Sequence, residues 1–240
     1  ELFTMLAVNY FSRRYIQLIW TLDKTLCRKV LIASYKLGIS GIFVAIMNRA
    51  DFLMLERMAD PHQLGLYSSI YKVTNLLESL PIMMMMTLYP VMSRYAKQED
   101  RGRLKQIYKK SLLLLIVLAF PIGFSVTFFA EFIIRILFGA NFLIASSGLR
   151  ILIWATVCVY LALPSGNLLI SLGREKINLI VTALAAISNI TLNFFWIPRY
   201  GFVGAAWATT VSYLIILILS TFAAHQVLKQ PGSSEDKRHF

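Results

Sequence analysis

The apolar residues of this chain fall into blocks. Six runs, about 29–57, 64–93, 107–129, 147–170, 175–197 and 202–228, are separated by short polar segments. About 20 helical residues, each rising 1.5 Å, are needed to cross roughly 30 Å of hydrocarbon, and every run is that long. The pattern predicts an all-α, polytopic membrane protein with a six-helix transmembrane bundle over 29–228. A seventh apolar stretch, 1–11, is too short to span and ends in Ser12, Arg13 and Arg14, so it reads as the tail of an earlier span. Residues 12–28 read as a basic amphipathic connector, making 1–28 a lead-in. The tail 229–240, "KQPGSSEDKRHF", is polar and contains Pro and Gly, the composition of a disordered segment. The stretch 130–146, "AEFIIRILFGANFLIAS", carries apolar residues at helical spacing and predicts a short helix lying in the interface.

Within the runs the polar residues also keep a helical period. Positions i, i+4, i+7, i+11 and i+15 share one face of a helix. On that spacing the first run gathers Lys36, Ser40 and Asp51, and the second gathers Ser68, Lys72, Asn75 and Ser79 with Glu78 beside them. The fourth gathers Thr156, Tyr160, Asn167 and Ser171, and the fifth Asn178, Thr182, Asn189 and Asn193. A Lys or Asp facing lipid at mid-bilayer costs about 2.5–3.5 kcal/mol on translocon scales, so the stripes are expected to face protein or a shared wet cavity. Arg49, at the close of the first apolar run, is expected to reach the outer water. Interior prolines Pro81, Pro121 and Pro164 each remove a backbone N–H, and the carbonyl this frees must be met by a neighbouring helix, a hydroxyl or water. Small residues such as Gly204, Ala208 and Ser212 permit close helix contact.

Composition agrees with the pattern: 58% apolar and 15% charged residues, with a mean hydropathy of +0.65, lie outside the soluble range. A formal charge of +12 raises the question of nucleic acid. The distribution answers against it. Numbering span ends alternately, 17 Lys and Arg fall on one side and 5 on the other, with Lys36 and Lys72 inside spans. The positive-inside rule then makes the rich side cytoplasmic and places both ends of the segment there, in the cell membrane. The loop 94–110 is expected to contact anionic membrane lipids. The chain opens on Glu1 without a signal peptide and reads as part of a longer protein. Cys27 and Cys158 are too far apart in context to suggest a disulfide or zinc site, and His62, His225 and His239 form no cluster. No cofactor, metal site or catalytic residue is expected. GxSxG, HExxH, P-loop and dinucleotide motifs do not occur, so an enzyme or ATP-driven motor is unsupported. A membrane glycan polymerase would need a large outer loop, and the outer loops here are short.

Taken in order, "RADFLML" at 49–55, "LGLYSSIYKV" at 64–73, "YPVMSRYAK" at 89–97, "LFGANF" at 137–142, "LGREK" at 172–176 and "IPRYGFVGAAWAT" at 197–209 resemble the polysaccharide flippases. These are the Wzx-type members of the multidrug/oligosaccharidyl-lipid/polysaccharide exporter superfamily, and the resemblance is to the C-terminal half. It implies the second of two bundles arranged as a V around a cavity. That assembly would move a polyprenyl-pyrophosphate-linked oligosaccharide to the outer leaflet, coupled to an ion gradient, with the N-terminal bundle as partner. On that reading Lys36 and Lys72 would offset the pyrophosphate, and Asn75, Asn167, Asn178, Asn189 and Asn193 would hydrogen-bond sugars. Asp51 or Glu78 would bind the coupling cation. A lipid II flippase and a multidrug/cation antiporter of the same superfamily are the alternatives.

Overall fold

The computed structural model describes residues 23–229, so expectations for 1–22 and 230–240 lie outside the described residues. By compactness the chain divides between Tyr35 and Lys36, and the account below concerns the unit from Lys36 onward. Five long helices follow one another: α1 (Lys24–Met58), α2 (Pro61–Lys97), α3 (Arg101–Phe138), α4 (Ser146–Ser171) and α5 (Glu175–Lys229). All five are long and apolar enough to cross a membrane. The fold is all-α and the protein is a multi-pass membrane protein.

The sixth expected span is present inside α5. A straight helix of 55 residues would run about 82 Å. Gly201, at φ 57° and ψ −136°, breaks it into arms over 175–200 and 202–229. Only glycine adopts that backbone readily. The side chains of Asn189 and Thr209, 20 residues apart in sequence, are 3.5 Å apart, so the arms run antiparallel as a hairpin. They meet tightly: a Cβ on Gly204 would stand 2.5 Å from the Trp196 carbonyl oxygen. The second arm's Phe202 N–H is capped by Gln63 Oε1 of α2 at 3.1 Å.

Helix ends follow local chemistry. Asp60 caps α2 by accepting from His62 N at 3.0 Å, with Pro61 in the first turn where a missing N–H costs nothing. Asp100 does the same for α3 through Arg103 N. The expected interfacial helix at 130–146 is a correction. Its first part, through Phe138, continues α3, and Ala140–Ala145 is a 3-10 turn leading directly into α4. The apolar residues there prolong the span because Gly139, at φ 88°, gives the first turn-permissive position.

Helix α4 is the centre of the bundle, packing against α2, α3 and α5. Its alternating Ala, Ser and Gly let neighbours close in: a Cβ on Gly148 would collide with Phe202 and Ile70. Leu66, Tyr67, Ile70, Leu149, Ile153 and Ala205 form one buried cluster, and Met92, Leu104, Leu168 and Ala224 another. The carbonyl freed by Pro81 is that of Leu77, and Tyr160 of α4 donates its hydroxyl to it at 2.8 Å. The expected hydroxyl partner is therefore present at this proline. The exposed surface is rich in Ile, Leu, Met and Phe, as lipid or a second bundle requires.

Candidate functional site, a caged carboxylate

Asp51 is the most deeply placed charged side chain among the described residues, 1% exposed. Helix α1 turns Ser40, Met47 and Asp51 to the same buried side, as the helical period predicts. Three neutral donors meet the carboxylate. Tyr67 Oη of α2 and Thr209 Oγ1 of the second α5 arm each donate to Oδ2 at 2.5 Å, and Asn193 Nδ2 donates to Oδ1 at 2.6 Å. Asn193 Nδ2 also reaches Asn189 Oδ1 at 3.2 Å, and Asn189 Nδ2 reaches Thr209 Oγ1 at 3.5 Å. The α5 hairpin is what brings Asn189 and Asn193 opposite Thr209. One turn along, Tyr213 donates to Asn48 Oδ1 at 3.0 Å.

The cage is short of positive charge. Among the described residues no Lys, Arg or His stands within ion-pair distance of Asp51. Desolvating a carboxylate costs several kcal/mol in an apolar interior, and hydrogen bonds from neutral groups return only part of that. One acceptor is also left over: Asn193 Oδ1 is buried with no hydrogen-bond partner. Carboxylate, amide and hydroxyl oxygens gathered around one point are the ligands that hard cations prefer.

The remaining predicted residues divide by direction. Asn189 and Asn193 belong to the cage, fully buried. Asn167 is half-buried and donates to its own helix at Leu163 O, while Asn178 is half-buried beside Gly166. Glu78 is half-buried and accepts from Thr156 Oγ1 at 3.1 Å, on a separate part of α2 from the Asp51 cage. Lys36 is half-buried. Lys72 and Asn75 are exposed on the outer face of α2. The α2 stripe faces outward from this bundle, because Leu66, Tyr67, Ile70 and Thr74 claim the packed side of the helix. Arg49 is exposed, and helix α1 continues nine residues past it to Met58.

Tyr67 and Thr209 were missed from sequence. Tyr67 sits in an apolar-aromatic run that reads as core, and only the chain reversal at Gly201 puts Thr209 beside Asp51. The pairing of Asn189 and Asn193 four residues apart was the one available signal.

The MatE family profile matches residues 37–195. This chain belongs to the MatE family. The match takes in the site from Asp51 through Asn193, and the MatE bundle closes with Thr209 just beyond it. Among similar curated proteins, a probable low-salt glycan biosynthesis flippase, Agl15 of Haloferax volcanii, is 25% identical over 182 residues. That alignment takes 76% of this chain and 38% of the relative. A putative O-antigen transporter of Shigella flexneri is 22% identical over 75% of this chain and 43% of its own length. The chain spans about two-fifths of these relatives. Among solved structures, a transporter of the MOP superfamily from Pyrococcus furiosus superposes with a TM-score of 0.72 at 16% identity, over 88% of this chain and 49% of that one. The lipid II flippase MurJ superposes at 0.69 and 16%, over 92% and 48%. The fold is that of half of such a transporter.

Proposed function

We propose that this MatE chain is one bundle, the second, of a cation-coupled flippase for a polyprenyl-pyrophosphate-linked oligosaccharide in surface glycan synthesis. The observation that carries the coupling is the buried Asp51 carboxylate, met by three neutral donors and no counter-charge, with Asn193 Oδ1 left unpartnered beside it. Cation entry would satisfy both. Rotation of the Asn193 and Asn189 amides would exchange N–H for carbonyl oxygen toward the ion, and the cage would tighten around it. Because α1 meets its neighbours there through Asp51 and Asn48 rather than through close backbone packing, occupancy of the cage would set how firmly α1 is held.

Support for the cargo is separate. The names of the curated relatives point to glycan transport. Lys72 and Asn75, exposed on the outer face of α2, would meet the sugar-phosphate part of a substrate held between this bundle and another. Glu78, tied to Thr156, is the weaker coupling candidate.

The test is made in the intact gene product. Lys72→Ala should abolish export of the glycan with membrane insertion unchanged. Asp51→Asn should abolish the dependence of transport on the sodium or proton gradient. Wild-type export with Lys72→Ala would remove Lys72, and an undiminished gradient dependence with Asp51→Asn would remove the cage. The lipid-linked precursor that accumulates on gene loss separates the glycan reading from a lipid II flippase; accumulation of neither, with gained sensitivity to organic cations, would favour an antiporter.

A further inference from the structure

The polar contacts of the Asp51 cage continue in one direction only. One turn beyond it on one side stand Leu55 of α1 and Ile197 and Ala205 of the two α5 arms, at most 1% exposed and members of one buried cluster. On the α2 side the ring of Phe52 lies edge-on to Tyr67 at 5.3 Å and to Tyr71 at 4.9 Å. On the opposite side Met47 and Ala185 are as deeply buried. Beside them the contact is polar: Tyr213 donates to Asn48 Oδ1 at 3.0 Å. Asn48 precedes Asp51 by three residues and Tyr213 follows Thr209 by four, so this pair is the next rung after Asp51 and Thr209 between two antiparallel helices. Both partners are half-buried, whereas no residue of the cage is more than 5% exposed.

We propose that the Asn48–Tyr213 bond is the door of the cage, which opens to let the coupling cation reach or leave Asp51 and closes behind it. The proposal rests on the cation-coupled reading of Asp51. A cation or proton leaving water needs an oxygen at each step in place of the water it sheds, and a path past Leu55 and Ile197 or past Phe52 offers none. Opening the bond frees two, Asn48 Oδ1 and Tyr213 Oη. They lie about 4.5 Å and 6 Å along their helices from Asp51 and Thr209, a single hop from the cage. Little else resists the opening, because α1 meets its neighbours here through side chains rather than close backbone packing. The Tyr213 ring packs against both the Leu55–Ile197 cluster and the Met47–Ala185 cluster, so its movement unseals the seam between them. Asn48 and Tyr213 thereby set the rate of ion entry without belonging to the bound site.

The experiment times the access of Ag⁺, a thiol-reactive cation close to sodium in size, to position 51. It uses the intact gene product carrying Asp51→Cys, with Cys27, Cys158 and any further cysteine replaced by Ala, and reads the loss of free thiol by mass spectrometry. Tyr213→Phe and Asn48→Ala should each speed the reaction about three- to twentyfold, the range for losing one interhelical hydrogen bond in a membrane protein. Combined, they should be no faster than either alone, since both break the same bond. Thr210→Val removes a different interhelical bond of the same arm, to Ile151 O of α4 at 3.2 Å, and should leave the rate unchanged. Leu55→Ala should do the same, because the apolar cavity it opens stays dry. An unchanged rate in either Tyr213→Phe or Asn48→Ala, additive effects in the double variant, or an equal rise in Thr210→Val or Leu55→Ala overturns the door. Failure of the coupling reading looks different: Ag⁺ access would still follow Tyr213 and Asn48 while Asp51→Asn left the gradient dependence of export undiminished.

Discussion

Replacing Tyr160 with Phe removes one oxygen from the centre of the bundle and nothing else. The ring stays, so packing is kept, and what is lost is the 2.8 Å bond to the Leu77 carbonyl. That carbonyl has no helical partner because residue 81 is proline. Leaving a buried carbonyl unsatisfied costs about 1–3 kcal/mol in water-soluble proteins. Interhelical hydrogen bonds in a membrane protein average about 0.6 kcal/mol and reach about 1.7. With Tyr160 only 1% exposed, the upper part of the membrane range applies, so Tyr160→Phe should destabilise by about 1–1.7 kcal/mol. The cycle with Pro81→Ala isolates the cause. That substitution supplies an N–H for the Leu77 carbonyl, so the hydroxyl becomes redundant and Tyr160→Phe should then cost less than about 0.5 kcal/mol. Thermal or denaturant unfolding of the protein in detergent or nanodiscs reads all four corners. An equal loss in both backgrounds would show that the hydroxyl is not answering the proline.

Other outcomes follow from the same geometry. Gly204→Ala should destabilise by roughly 1–3 kcal/mol in an unfolding assay, since its Cβ would meet the Trp196 backbone at 2.5 Å and neither arm can shift alone. Gly201→Ala should cost roughly 1–3 kcal/mol through its backbone conformation, φ 57° and ψ −136°, and reduce the yield of folded protein. Gln63→Ala, which uncaps Phe202 N, should cost about 0.5–2 kcal/mol by the same measure. Arg150→Gln, breaking an exposed pair with Glu131 at 2.8 Å, should cost less than about 1 kcal/mol.

Much of this architecture was legible because lipid imposes two requirements at once. Apolar runs must be long, which located the spans, and a freed carbonyl must be met, which anticipated a partner at Pro81 without naming Tyr160. The helical period also placed Ser40, Met47 and Asp51 on one buried side correctly, since within one helix geometry is fixed by sequence spacing alone. Contacts between helices were not available that way. Thr209 lies beside Asp51 because the chain reverses at Gly201, and glycine in "RYGFVG" announces a break without saying what the second arm will face. For α2 the spacing alone did not say which side packs within this bundle: Lys72 and Asn75 share a stripe, but so do Leu66, Ile70 and Thr74, and the latter set is the buried one. The segment through Phe138 misled because its apolar residues at helical spacing read as a separate short helix, whereas they continue the helix that begins at Arg101.

The division of polar groups into a sealed set and an outward set has a mechanical consequence. Asp51, Asn189, Asn193, Tyr67 and Thr209 tie α1 to α2 and to both arms of α5, while Arg49, two residues from Asp51, is exposed. Under the proposed coupling, an ion entering at Asp51 would be felt by three helices at once. By linkage, if the coupling cation tightens cargo binding by some factor, the cargo must tighten cation binding by the same factor. Titrating each ligand in the presence of the other measures both numbers. Coupling in wild type that vanishes in Asp51→Asn is the expected result; independent binding of the two in wild type would refute a coupling role for the cage.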